Sequence, residues 1–176
     1  MTQEIFQNGQ VDILSLPTAD GLTWTPLEDR YRRLLLLSTA FASAVFIAGV
    51  SLTLPLMEVP PWVALSAVGI ILLIAAIQTL AIVKGFPYKG YAIRTHDLLY
   101  RTGWLYKKQI AIPFSRVQHV EIRQGIFERV FGLHRLNVYT AGGDSSDLTI
   151  PGLPERTAQR LKEFILRETT TRDEEE

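Results

Sequence analysis

The sequence predicts an α+β membrane protein in which a two-helix transmembrane hairpin precedes a small antiparallel β-barrel capped by a C-terminal helix. Two uncharged apolar runs, at 34–54 and 62–83, are each long enough to cross a bilayer. After residue 88 apolar and polar residues alternate in short runs separated by turn-forming residues, which is typical of antiparallel strands. One amphipathic helix follows near the end of the chain.

The two apolar runs are predicted to be membrane spans. The first, LLLLSTAFASAVFIAGVSLTL, has 21 residues and no charge. At about 1.5 Å per residue it reaches roughly 31 Å, which matches a hydrocarbon core of about 30 Å. The second, WVALSAVGIILLIAAIQTLAIV, has 22 residues, and its one strongly polar residue is Gln78. As buried core helices, the two runs would need a soluble core larger than the rest of the chain can build.

The sequence TPLEDRYRR predicts that the first helix begins before its span. Thr25 can cap the helix, Pro26 suits the first helical position, and Glu28 completes a capping box. The connection PLMEVPP at 55–61 is short, and its prolines end one helix and start the next. The two spans therefore form an antiparallel hairpin.

Small residues form a stripe along the first span at helical spacing, at Ala40, Ala44 and Ala48. Such a stripe lets two helices approach closely. We expect it to pack within the hairpin, and contact with another chain is the alternative.

Basic residues predict the orientation of the hairpin. Arginines precede the first span and lysines follow the second, at Arg30, Arg32, Arg33, Lys84 and Lys89. The connection carries Glu58 and neither Lys nor Arg. Because positive residues stay on the cytoplasmic side, we expect both termini in the cytoplasm and a multi-pass protein of the inner, or plasma, membrane.

Short alternating runs predict the strands YAIR, DLLYRTG, KQIAIP, RVQHVEIRQ, HRLNVYTAGG and DLTIPG. The first two meet at a turn at Thr95–His96, and GIFERVFG at 125–132 is expected to form one helical turn. Alternation predicts four inward-facing residues, Val120, Ile122, Leu136 and Val138.

The segment LPERTAQRLKEFILRE predicts a helix that begins at Pro154. Ala158, Leu161 and Ile165 line one face, which should close the end of the barrel. The acidic tail at 169–176 is expected to be disordered.

Three segments carry a resemblance to a known family: IPFSRVQHVEI at 112–122, GIFERVFGLHRLNVYTAG at 125–142 and IPGL at 150–153. They resemble the bacterial pleckstrin-homology-like domain of YdbS-like membrane proteins, and the preceding hairpin matches that family's layout. The resemblance implies a seven-stranded pleckstrin-like barrel on the cytosolic side and no known enzymatic activity. Larger family members with several such domains are the protein partner it suggests.

The resulting domain organisation has four parts. Residues 1–25 form an N-terminal segment outside the resemblance, partly disordered, and 26–84 form the hairpin. Residues 88–168 form the pleckstrin-like domain, and 169–176 form the tail.

The residues offer little chemistry for a reaction. His96, His119 and His134 lack metal-like spacing, and GGDSSD at 142–147 lacks the twelve-residue calcium pattern and predicts a turn. Cysteine is absent, and the sequence has neither a phosphate-loop lysine nor a nucleophile elbow. We therefore expect no catalytic residue, no metal, no cofactor and no enzyme activity.

Two ligand classes are also disfavoured. The loop RTHD at 94–97 is short and carries Asp97, so phosphoinositide specificity is not expected. Nucleic acid is not an expected partner, because no platform of aromatic and basic residues is evident.

Residues 84–143 carry ten Lys and Arg against three acidic residues, although the whole chain has zero formal net charge. This excess is either ordinary solvated charge with the positive-inside bias, or attraction to the anionic inner leaflet. The candidate membrane-facing residues are Arg30, Arg32, Arg33, Lys84, Lys89, Arg101, Lys107, Lys108, Arg116 and Arg123.

These features together predict a non-catalytic, membrane-anchored interaction or scaffold protein that presents a cytosolic domain at the inner leaflet. Its expected partners are membrane lipids and a protein. The alternative is an accessory subunit of a membrane transport or export complex. A transporter acting alone is disfavoured, because the spans lack ionisable residues.

Overall fold

The structure, a computed structural model, describes residues 21–57, 60–141 and 147–173. The elements in chain order are β1 Thr25–Pro26, α1 Asp29–Thr53, α2 Pro61–Gly85, β2 Gly90–Ile93, β3 Asp97–Thr102, β4 Lys108–Pro113, β5 Val117–Arg123, α3 Ile126–Val130, β6 Leu133–Thr140, β7 Leu148–Pro154 and α4 Glu155–Asp173. The predicted turn at 142–146 and most of the N-terminal segment lie outside the described residues.

Helices α1 and α2 cover the two predicted apolar runs except for Leu54, which lies in a short 3-10 turn. Both are long and apolar enough to cross a membrane. Within them only Leu34 and Gly85 are buried. Helices in the core of a soluble protein bury most of their apolar residues, so this exposure is typical of helices that face lipid.

The start of the first helix differs from the prediction. Thr25 lies in β1, which pairs antiparallel with β2, and α1 begins at Asp29 with Glu28 at its N-cap. At Gly90 an added Cβ would stand 2.9 Å from the carbonyl oxygen of Thr25, so the close approach of β1 depends on glycine there. The predicted capping box at Thr25 is therefore wrong, because pairing with a distant strand replaces local helix capping.

The stripe of small residues also differs from the expectation. Ala40, Ala44 and Ala48 are all exposed. The crevice between α1 and α2 is lined from α1 by Ala42, Ser43 and Phe46, which lie on a different face of the helix. Packing of the stripe within the hairpin is therefore wrong.

The strands form two antiparallel sheets, one with the order β1-β2-β3-β4 and one with the order β5-β6-β7. The α+β layout is confirmed, but the sheets are not closed into the predicted barrel. A closed barrel needs hydrogen bonds between each pair of neighbouring strands. Strands β4 and β5 are instead joined by a 3-10 turn at Phe114–Arg116 and belong to different sheets.

One core lies between the two sheets and α4. The first sheet contributes Leu98, Tyr100 and Ile112, the second contributes Val120, Leu136, Val138 and Ile150, and α4 contributes Ala158, Leu161 and Ile165. The predicted inward residues are buried except Ile122, which is half-buried against this core. All four lie on the same face of the second sheet, because Val120 pairs with Val138 and Ile122 pairs with Leu136 across β5 and β6.

Helix α4 is longer than predicted. It runs to Asp173, so residues 169–173 continue the helix where a disordered tail was expected. The Thr169 hydroxyl donates to the carbonyl oxygen of Ile165 at 2.8 Å, one turn earlier.

The hairpin is built into the domain core. Leu27, just before α1, and Phe86, just after α2, belong to the same buried cluster as the sheet residues. Tyr31 of α1 packs on Gly152 of β7, where an added Cβ would stand 2.5 Å from the ring. The sheets therefore have a fixed position relative to the two helices.

Candidate membrane-facing surface

Basic side chains at the start of α1 and just after the end of α2 lie over aromatic rings. The guanidinium of Arg32 lies 5.7 Å from the centre of the Phe86 ring and 3.3 Å from the carboxylate of Asp29. The ammonium of Lys89 lies 5.9 Å from the centre of the Tyr31 ring, and burial lowers the pKa of Lys89. Arg30, Arg33 and Lys84 are exposed at the same end of the hairpin.

Three more of the predicted basic residues meet in one groove beside the end of α2. The groove has a volume of about 460 Å³ and is lined by Tyr88, Arg101, Thr102, Gly103, Lys107, Lys108 and Gln109. Arg101 comes from the end of β3 and the two lysines from the start of β4, so the β3–β4 hairpin brings them together. Three cations around one groove make a site suited to an anionic group.

Arg101 is held in place by an aromatic contact. Its guanidinium lies 4.5 Å from the centre of the ring of Trp24, which precedes β1. Its Nε is buried without a hydrogen-bond partner in the described part of the chain. The buried Nε cannot meet a ligand directly, and Arg101 therefore contributes to the groove through the positive charge of its fixed guanidinium.

The loop between β3 and β4 projects apolar side chains next to this groove. Gly103 has a φ of +94°, which turns the chain sharply. Leu105 and Tyr106 are 91% and 88% exposed, and Trp104 is also exposed. The Cβ of Trp104 lies close to Gly85, the last residue of α2. Aromatic residues and lysines at the end of a membrane helix are typical of the membrane interface.

Sequence reasoning missed the apolar part of this surface. The residues WLYK at 104–107 connect two predicted strands, and among them only Lys107 was a predicted site residue. Two aromatic residues and a leucine in such a short hairpin loop could have predicted this apolar surface, since hairpin loops that face water are usually polar.

A second apolar surface lies on α3. Ile126, Phe127 and Val130 are exposed, whereas Glu128 is buried. The Phe127 ring centre lies 6.3 Å from that of Phe41 in α1. This short helix therefore lies beside the apolar run of the first span.

The two remaining predicted basic residues do not join the groove. Arg116 is exposed in the turn between the sheets. Arg123, on β5, pairs with Glu121 at 2.8 Å, and this contact holds the pKa of Glu121 below its usual range. Exposed pairs of this kind contribute little to stability.

The RTHD loop offers no comparable cationic site. The guanidinium of Arg94 donates to both carboxylate oxygens of Asp97, so its charge is compensated locally. Among the described residues, no group of three or more His, Asp and Glu side chains could hold a metal ion.

The chain has relatives that share this layout. Residues 34–169 match the bacterial PH domain family. The chain is 27% identical to the UPF0699 transmembrane protein YdbS of Bacillus subtilis (strain 168) over an alignment of 118 residues. The alignment covers 66% of this chain and 72% of that protein. No solved structure shows a significant match to the chain.

The family match spans more than half of the chain and includes both apolar runs and strands β2 to β7. The relative is itself described as a transmembrane protein. The predicted resemblance is confirmed: the chain belongs to the bacterial PH domain family and is a YdbS-like membrane protein.

Proposed function

We propose that this chain is a non-catalytic, membrane-anchored interaction protein that holds its PH-like domain against the cytosolic leaflet of the inner membrane and presents it to a protein partner. In this proposal α1 and α2 both cross the bilayer and both termini are cytoplasmic. The basic residues at the cytosolic end of the hairpin support this orientation.

The observation that carries the proposal is the groove of Arg101, Lys107 and Lys108 beside Tyr88 at the end of α2. In the proposed orientation, its position beside the end of α2 brings three cations to the level of the lipid phosphate groups. Each basic residue near an anionic leaflet contributes about 1 kcal/mol, decaying within a Debye length.

Fixed attachment supports a scaffold role. Because β1, Leu27 and Phe86 pack the hairpin into the domain, the orientation of the hairpin determines which faces of the domain meet the cytoplasm. Strand β4 forms one edge of the first sheet, and its residues are mostly exposed. An exposed edge can receive a strand from another protein. We propose that the partner is a protein, and a larger homologue with several PH-like domains is the first candidate.

The topology is tested with single cysteines, since the chain has none of its own. Met57→Cys lies in the connection between the helices, and Gln159→Cys lies on the exposed face of α4. An impermeant thiol reagent applied to intact cells should label position 57 and leave 159 unlabelled until the cells are opened. Labelling of 159 in intact cells contradicts the proposed orientation.

The lipid contact is tested in nanodiscs that contain the full chain. A fluorescent label on Leu105→Cys should be quenched by nitroxide-bearing lipid more strongly in anionic than in neutral bilayers, and high salt should remove the difference. Lys107→Glu with Lys108→Glu should remove it as well. Arg156→Glu with Arg160→Glu, the same charge change on the exposed face of α4, is the matched control. Quenching that ignores lipid charge and salt contradicts the electrostatic role.

The protein partner is tested by photo-crosslinking in native membranes. A photoreactive residue at Ala111, exposed on the edge strand β4 and outside the groove lining, should form a discrete adduct that mass spectrometry identifies, and the same residue at Gln159 should not. A chain that forms no adduct at either position and migrates alone in mild detergent contradicts the scaffold role.

A further inference from the structure

Helix α3 buries its acidic residue and exposes its apolar ones, which is the opposite of a helix that faces water. Ile126, Phe127 and Val130 are 85%, 56% and 78% exposed, whereas Glu128 is only 4% exposed. Arg129 is exposed as well, and its long side chain can extend toward the headgroups while its stem lies beside apolar groups. In a soluble domain the apolar side chains of a surface helix turn toward the core and the charged ones toward solvent. The side that α3 turns outward is therefore suited to an apolar environment.

The orientation of α3 is fixed by the buried carboxylate. Glu128 pairs with the guanidinium of Arg135 on β6 at 2.7 Å and accepts the backbone N–H of Gly125 at 2.7 Å. These bonds hold the polar side of the helix against the second sheet. The apolar side cannot turn inward without breaking them, so its exposure is built into the fold.

The position of α3 identifies what covers it. Phe127 contacts Phe41, which lies eight residues beyond Arg33, or about 12 Å further along α1. On the neighbouring helix, exposed apolar side chains continue to Val83, next to Lys84. Gln78 of α2 lines the same crevice as Ala42 of α1, so Lys84 and Arg33 lie at a similar level. The apolar side of α3 is thus below the basic residues that mark the cytosolic end of the hairpin.

A crevice between α1 and α3 continues this apolar surface. It has a volume of about 260 Å³ and is lined by Leu34, Leu37, Ser38, Phe41, Phe127 and Phe131. Its lining joins the outward side of α3 to the exposed face of the first span without a charged residue.

We propose that α3 is inserted in the inner leaflet, with Ile126, Phe127 and Val130 among the upper parts of the lipid acyl chains. This inference rests on the proposed membrane orientation of the hairpin and adds a second point of attachment for the domain. Apolar faces of interfacial helices enter the boundary between headgroups and acyl chains by about 5–10 Å. The basic groove then contacts headgroups on the α2 side while α3 enters the acyl region on the α1 side.

The test uses environment-sensitive labels on single cysteines in the full chain, reconstituted in nanodiscs of phosphatidylcholine and phosphatidylglycerol. Ile126→Cys reports on α3, Val45→Cys on the exposed face of the first span, and Gln159→Cys on the water-facing side of α4. Phosphatidylcholine with a nitroxide near the top of its acyl chain should lower the emission at 126 by about twofold or more, since the label lies within ~5–10 Å of that level. The same lipid should leave the label at 159 unchanged.

The outcomes separate this inference from the proposed function. If the label at 45 is shielded from water and quenched by lipid nitroxide while the label at 126 responds only to a water-soluble quencher, α3 is outside the bilayer and the inference is overturned. If the label at 45 is also open to water, the hairpin does not span the bilayer and the proposed function fails as well. A label at 126 that neither quencher reaches indicates coverage by protein, which overturns the lipid assignment too. Circular dichroism of each variant shows whether the fold is retained.

Discussion

Helices α3 and α4 pack on the same three-stranded sheet and are opposite in the way they distribute polarity. In α4 the apolar residues Ala158, Leu161 and Ile165 are buried and the charged residues face outward. In α3 the acidic Glu128 is buried and the apolar residues face outward. The sheet is common to both, so the difference reflects what each helix meets on its other side.

The proposed insertion of α3 explains this difference, because the two helices then face different surroundings. On the α4 side the hydrophobic effect drives apolar side chains into the core. If α3 lies in the inner leaflet as proposed, that drive is absent on its outer side, because lipid there replaces water. The buried carboxylate of Glu128 keeps its hydrogen bonds in either case.

The largest expected effect comes from making the same substitution in both helices. Ile165→Ala removes a fully buried side chain and should lower the free energy of unfolding by about 2–5 kcal/mol. Ile126→Ala removes an exposed side chain and should change it by less than about 0.5 kcal/mol. Denaturant unfolding of the full chain in detergent measures both. Equal losses at the two positions indicate that Ile126 packs against protein, which breaks the comparison.

The second prediction tests how firmly the domain is attached to the α1 side. Gly152 and Gly132 both have a positive φ, of +70° and +63°. Alanine at Gly132 meets no atom within 4 Å and should cost only the backbone strain of about 1–2 kcal/mol. Alanine at Gly152 meets Tyr31 of α1 and should cost about 1–3 kcal/mol more.

Unfolding midpoints of the two glycine variants provide the measurement. Tyr31→Ala is destabilising by itself because Tyr31 packs on the core, so the comparison is a double-mutant cycle: in the Tyr31→Ala background, Gly152→Ala should cost only the backbone strain. A Gly152→Ala variant as stable as Gly132→Ala shows that α1 yields at this contact, and the domain is then less firmly held than the structure indicates.

The third prediction concerns the buried carboxylate that orients α3. Glu128→Gln keeps the shape but removes the charge that pairs with Arg135, and it should lower the free energy of unfolding by about 1–3 kcal/mol. Because Arg135 is partly exposed, the loss should be smaller than for a fully buried pair. Hydrogen exchange should accelerate first at the amides of α3. Glu163→Gln, on the exposed face of α4, is the control and should leave stability and exchange unchanged.

Much of the layout could be predicted from the sequence, because it depends on local patterns. Length and the absence of charge predict α1 and α2, and strict alternation predicts the inward positions Val120, Leu136 and Val138. The YdbS-like resemblance was also available, since its motifs are contiguous in the chain.

The errors concern features that depend on contacts between distant segments. TPLE has a local capping-box pattern, but Thr25 pairs with a strand 66 residues later, which no local pattern indicates. The exposed alanine stripe and the separation of the two sheets likewise depend on which faces meet.

The candidate site was predicted only in part. The sequence identified Arg101, Lys107 and Lys108 as charged residues but could not place them around one groove, since that arrangement follows from the register of β3 and β4. The orientation of α3 depends on the pairing of Glu128 with Arg135, seven residues apart and on different elements. Periodicity cannot reveal a five-residue helix with its polar side inward, because one turn is too short to show a period.

The smallest expected effect involves a carboxylate that faces water, in contrast to Glu128. Asp147 accepts hydrogen bonds from the backbone N–H of Thr140 at 2.8 Å and from its hydroxyl at 2.6 Å, and these bonds hold the pKa of Asp147 below its usual range. Since the folded pKa is lower than the unfolded value of about 3.9, the ionised carboxylate stabilises the fold above that pH. The contribution is lost as the pH falls through the folded pKa.

Asp147→Asn should therefore lower the melting midpoint slightly at neutral pH, and the difference from the unmodified chain should shrink as the pH falls below about 3.9. Thr140→Val removes the hydroxyl donor and keeps the backbone N–H, so it should raise the pKa of Asp147 part of the way toward its usual value. Carbon-13 NMR titration of the Asp147 carboxyl group in detergent measures this pKa directly. A difference in midpoint that stays constant down to about pH 2.5 shows that the carboxylate does not hold this turn through its charge. Of the two carboxylates compared, only the buried Glu128 would then stabilise the fold through its charge.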